Sequence, residues 1–173
     1  TRARRTLRNV AIDVDADAAW PALQPPRAVG ELDGSLIRRE SAETEGLPLR
    51  WEPGTDAVVD MSFGGVIPMG RQLIHASDRI THDSRGEVRI FRDSGIPLTG
   101  PLASLDVWDH QLAVAPAPGD PFRTLWRERL TIGGRTAPLL WPGLWAAWQW
   151  RAQRIRAIAP TWAHDVEAPA PTA

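Results

Sequence analysis

The sequence predicts an α+β fold, one antiparallel sheet followed by a single long C-terminal helix. Three observations carry this. Apolar and polar residues alternate over 57–63, 104–114 and 123–132, the period of a strand with one buried face. Turn-forming clusters, SRGE from Ser84 and PAPGDP from Pro116, separate neighbouring runs by a few residues, as hairpins do. Between Pro142 and Pro160, Trp145, Trp148, Ala152, Ile155 and Ala159 recur at spacings of three and four, with Trp141 just before them, which is one face of a helix.

Taken in order, Leu7 to Val14 alternates loosely and reads as a first strand. DADAAWPAL follows, a short helix with Asp15 or Asp17 as N-cap and Trp20 on its buried side. Pro21, Pro25 and Pro26 keep it short. The region 27–53 reads as a short helix or loop with one or two strands. Ala57, Val59, Met61 and Phe63 share one face of the next strand. Arg71 to Thr81 is a further strand with no clear facing, and EVRIFRD follows SRGE. SGIPLTGPLA connects to the strand SLDVWDHQLAV, and PAPGDP turns into RTLWRERLTI. Pro142 suits the first turn of the last helix and Pro160 its end.

Composition narrows the function. The 173 residues are 43% hydrophobic and 24% charged, ordinary for a globular domain with a real core. With a net charge of −1 nothing in the charge balance points to a polyanion, so no nucleic-acid partner is expected. Arg151, Arg154 and Arg156 make the last helix too charged to span a bilayer, so no stable membrane insertion is expected either. There is no cysteine, lysine or tyrosine, which removes thiol, Schiff-base and phenol chemistry. His75, His82, His110 and His164 lack metal-site spacing, and nucleotide-binding and serine-hydrolase motifs are missing. No metal or cofactor is expected. Asp13, Asp15 and Asp17 lack the glycine and later glutamate of a calcium loop and suit capping instead. The basic start TRARR leads into no long apolar stretch or cleavage site, so a cytoplasmic protein is expected. HDVEAPAPTA, 164–173, reads as a disordered tail.

Strand parity marks a candidate site. With the richer apolar set turned inward, the even positions of three strands face the helix: Trp108, His110, Leu112, Trp126, Glu128, Leu130, Val88, Ile90 and Arg92, with Asp106 at the start of its strand. A symmetric hairpin over PAPGDP sets His110 opposite Glu128 and Trp126 opposite Leu112. Closing SGIPLTGPLA the same way brings Arg92 near Asp106. Buried charges are usually paired, so these four can simply satisfy one another. The functional alternative is a carboxylate-held His110 that moves protons, with Glu128 as its partner and Arg92 holding an oxyanion.

A strand running into VAIDVDADAAWPAL, then a meander, then a long amphipathic helix resembles the START-like superfamily, also called SRPBCC, with its helix-grip fold. MSFGGVIPMGRQ departs from the glycine-rich loop of the pollen-allergen branch, and 27–53 shows no clear second helix. The resemblance implies a curved sheet gripping the last helix around an apolar cavity, in one ligand-binding domain over 1–163. The expected ligand-binding set is then Met61, Phe63, Ile90, Arg92, Asp106, Trp108, His110, Trp126, Glu128, Trp145 and Trp148. A small hydrophobic or amphipathic ligand, held for transport, sensing or sequestration, is the first reading. A polyketide-type cyclase, aromatase or dehydratase using His110, Glu128 and Arg92 is the second. The third is an interaction protein docking through the tryptophan helix, with Trp150 as the surface contact and a homodimer left open.

Overall fold

A computed structural model describes residues 3–84 and 86–162; the expected tail, 164–173, lies outside them. The elements are β1 (Arg4–Ile12), α1 (Ala16–Leu23), α2 (Pro26–Asp33), β2 (Ile37–Ser41), β3 (Asp56–Phe63), β4 (Ile67–Asp83), β5 (Gly86–Asp93), a 3-10 turn at Pro101–Ser104, β6 (Val107–Ala117), β7 (Asp120–Gly133) and α3 (Ala137–Ile158). The strands form one antiparallel sheet in the order β1-β7-β6-β5-β4-β3-β2. Consecutive strands from β2 to β7 are neighbours, while β1 closes against β7. The chain must therefore cross from one edge of the sheet to the other between β1 and β2, and α1 and α2 are that crossing.

Local chemistry sets both short helices. Asp15 Oδ1 accepts from the backbone N–H of Ala18 at 2.9 Å, satisfying an otherwise orphaned donor at the start of α1. Pro26 opens α2, where a missing N–H costs nothing. Gly34, at φ +59°, closes it, a backbone conformation with little penalty only for glycine. The region 27–53 thus contains the second helix that the sequence left indistinct, together with β2. Its helical signal is weak because α2 is only eight residues long and buries Ala28, Leu32 and a charged residue, Asp33.

The last helix starts earlier than Pro142 suggests. Pro138 occupies its first turn, and Pro142 sits inside it, at the loss of one backbone hydrogen bond. Its buried stripe is Ala137, Leu144, Ala147, Trp148, Arg151 and Ile155. Trp145, expected on this stripe, is 47% exposed. Trp150 is 43% exposed, on the surface as expected. Trp148 packs edge-on against Trp108, with ring centroids 6.5 Å apart, and against His110 at 5.2 Å. Such contacts add about 0.5–1.5 kcal/mol to burial. Trp126 meets Trp162 at 6.1 Å, so these indoles are core. Among the described residues no helix is long and apolar enough to cross a membrane.

Candidate functional site

Two strand-level expectations change in the folded chain. His110 pairs with Leu130 and Leu112 with Glu128, two residues away from the symmetric hairpin. An irregularity at Pro116/Ala117 absorbs the difference, as a bulge does. An even shift keeps the inward face, so Trp108, His110, Leu112, Trp126 and Glu128 all point in and are buried. In β5 the facing reverses. Phe91 pairs with inward Leu112 and Asp93 with inward His110, which turns Ile90 and Arg92 to the outer face.

Arg92 is therefore not beside Asp106. Its side chain is 48% exposed, and its Nε donates to Asp109 Oδ1 at 2.7 Å. Asp106 is exposed just before β6, where its backbone N–H meets Gly133 O. Burial would lift the Asp109 carboxyl, but Arg92, Gln111 and Arg129 outweigh it and hold it below its ordinary value. This is a surface cluster. Met61 is buried, whereas Phe63, at the end of β3, is 46% exposed.

The inward face carries a polar chain that the sequence pattern reveals only in part. Glu128 Oε1 lies 2.8 Å from His110 Nε2 and accepts from Arg151 Nε at 2.7 Å. Arg151 Nη1 reaches Asp33 Oδ1, and Arg39 Nη1 reaches Asp33 Oδ2. Five residues from β6, β7, α3, α2 and β2 thus form one connected series. Burial alone would raise the Glu128 carboxyl; Arg151 and the His110 hydrogen bond outweigh it and hold the group below its ordinary 4.5. Burial, with Arg151 second, pushes Arg39 down to about 10, which leaves it charged at neutral pH.

An ionised carboxylate can only accept, so the proton toward Glu128 sits on His110 Nε2. In the neutral ring, Nδ1 then holds the lone pair. Nδ1 has no partner among the described residues. Beside His110 is Asp93, whose Oδ1 accepts from the backbone N–H of His75 (3.1 Å) and Gly95 (3.0 Å), and whose Oδ2 accepts from Gln72 Nε2 (3.1 Å).

His110, Asp93 and Arg39 line a cavity of about 530 Å³. It lies between α2, the segment 47–51 and strands β2 to β6; no residue of α3 lines it. This moves the expected cavity, because the helix packs directly on the sheet through Trp148. Of the expected ligand-binding set only Trp108 and His110 are on its wall. Trp126, Glu128, Trp148 and Met61 lie in the core behind it, while Phe63, Ile90, Arg92, Asp106 and Trp145 are elsewhere. Leu49, 95% exposed, marks the opening, and buried Trp108, His110 and Leu112 mark the inner end. The backbone N–H of Trp51 donates to Gln24 O at 2.7 Å and ties the 47–51 wall to the end of α1, just before α2.

Asp33, Arg39, Asp93 and Arg151 were missed. Arg151 was detectable: it stands three residues after Trp148 and four before Ile155, on the same stripe. Asp93 needed only the correct facing of β5. Asp33 and Arg39 lie in the region whose elements were indistinct.

With this geometry in view, comparison with solved structures is informative. A structural-genomics protein from Nitrosospira multiformis superposes with a TM-score of 0.59 at 9% identity, over 90% of this chain and 95% of that one. A hypothetical protein from Helicobacter pylori gives 0.56 at 11%, over 89% and 86%. Norcoclaurine synthase from Thalictrum flavum, as a point mutant in complex with a transition-state analogue, gives 0.52 at 13%, over 92% and 97%. This is a helix-grip fold. No family model matches the chain, and no curated protein matches it in sequence. At these identities the likeness concerns fold, and function has to be argued from the site.

Proposed function

We propose that this helix-grip protein, a member of the START-like superfamily by its order of elements, binds a small molecule with an apolar body and a polar end. The cavity beneath α2 carries the proposal. Its volume of about 530 Å³ falls in the range of small-molecule sites, about 300–1,000 Å³. Apolar groups (Val29, Leu47, Leu49, Trp51) line the way in, and Arg39, Asp93 and His110 supply a few fixed polar contacts. That division suits an amphipathic guest whose polar end reaches the sheet. Transport, sensing and sequestration all need this much and no more.

Gly30 offers a clean test. It lines the cavity, and a Cβ built there meets no heavy atom within 4 Å. Gly30→Phe therefore adds a ring at the exposed rim of the cavity without a clash and removes a glycine from a helix, where it costs about 1 kcal/mol relative to alanine. Wild type should bind anilinonaphthalene sulfonate saturably at one site. The variant should lose that binding at least about tenfold, equivalent to about 1.4 kcal/mol, while melting at or above the wild-type temperature. Equal dye binding by both proteins would reject the cavity as the site.

A further inference from the structure

We infer that His110 acts as a general base toward the bound molecule, and that the cavity takes a compact carbonyl compound with an acidic C–H next to the carbonyl. The inference rests on the binding reading above and adds chemistry to it.

The geometry points to this role in three ways. Glu128 accepts a 2.8 Å hydrogen bond from Nε2–H and so fixes which nitrogen is basic. Glu128 is itself held by Arg151 at 2.7 Å, and Arg151 by Asp33. The ring therefore has an orienting partner that is oriented in turn, the arrangement of activated bases generally. Nδ1 engages no described residue, and the ring lines the cavity, so Nδ1 is the atom left to meet a guest. Arg39 lines the same cavity with only Nη1 engaged, on Asp33. Its Nε and Nη2 engage no described residue and remain for a developing oxyanion.

The step balances without a co-reactant. Nδ1 takes the proton from the carbon beside the carbonyl, the C–H pair moves into the new C=C bond, and the carbonyl π pair moves onto oxygen, facing Arg39. The imidazolium then returns the proton to the same carbon or, in a β,γ-unsaturated substrate, to the γ carbon, which shifts the double bond. His110 is the catalytic residue here; Glu128 and Arg151 position it.

Nitrobenzisoxazole serves as a probe because its breakdown needs only a base in an apolar site. The ring C–H loses its proton, its electron pair forms the nitrile, the N–O bond breaks, and a coloured nitrophenolate is released. Binding is read separately, from the effect of the non-reacting product on the fluorescence of Trp51 and Trp108. The wild-type protein should turn the probe over saturably and faster than an equal concentration of free imidazole. His110→Gln should lose about 100-fold or more in kcat with binding within a few-fold of wild type. In His110→Gly, added imidazole should restore turnover in a saturable way, which a merely structural histidine would not permit. Binding without turnover above free imidazole, or full turnover by His110→Gln, would overturn the base assignment and leave the binding reading standing. Failure to bind at all would remove both.

Discussion

Arg151 shows how one side chain can hold a site together from behind. It is 1% exposed, yet both of its anionic partners, Glu128 and Asp33, are buried with it. A charge taken this far from water is tolerable only when every partner is present. In Arg151→Met, Glu128 loses its strongest stabilising neighbour and Asp33 is left to Arg39 alone. Denaturant unfolding should show a loss of about 3–5 kcal/mol. The acid side of the stability curve should report the same change. Glu128 has a folded pKa below its ordinary 4.5, so its contribution is fully present above that value. It is lost as pH falls through the lower folded value. Removing Arg151 takes away the main cause of that depression, so this acid-dependent contribution should shrink in the variant. An unchanged acid limb in Arg151→Met would mean that Glu128 is not held by this arginine.

At the scale of elements, α3 divides its tryptophans between two environments. Trp148 is in the core against Trp108 and His110, whereas Trp145 and Trp150 are about half exposed. Trp148→Ala should therefore cost about 3–5 kcal/mol. Trp150→Ala should stay within about 0.5 kcal/mol, and thermal melts of the two variants would separate the faces directly. Comparable losses from both would place the helix in the wrong rotation. The short helix α2 serves the site twice from one face, where Asp33 enters the polar chain one turn after Val29 and Gly30, which form the cavity wall. A guest that touches this wall contacts an element anchored through Arg151 and Glu128 to His110.

On the scale of the whole molecule, the fold was legible because β3, β6 and β7 each bury one face, so alternation alone reveals them. The inward set Trp108, His110, Trp126 and Glu128 followed from the same parity and survived a two-residue change of register. β5 was misread because Val88 and Ile90 make its outer face look apolar, while the inner face holds Asp93 beside Phe91; pairing with β6 decides the matter, and no single strand contains that information. In α3, volume outweighed geometry. Trp145 drew the stripe toward itself, although Leu144, Ala147 and Arg151 are the residues that face the sheet. The cavity's position was illegible for a topological reason: only the crossing from β1 to β2 and the connection from β2 to β3 show that α2 and the segment 47–51 cover the sheet. Native mass spectrometry of the purified protein tests the binding cavity most directly. One small-molecule mass per chain should be retained on wild type and disappear from Gly30→Phe; a bare chain, or the same added mass on both proteins, would contradict it.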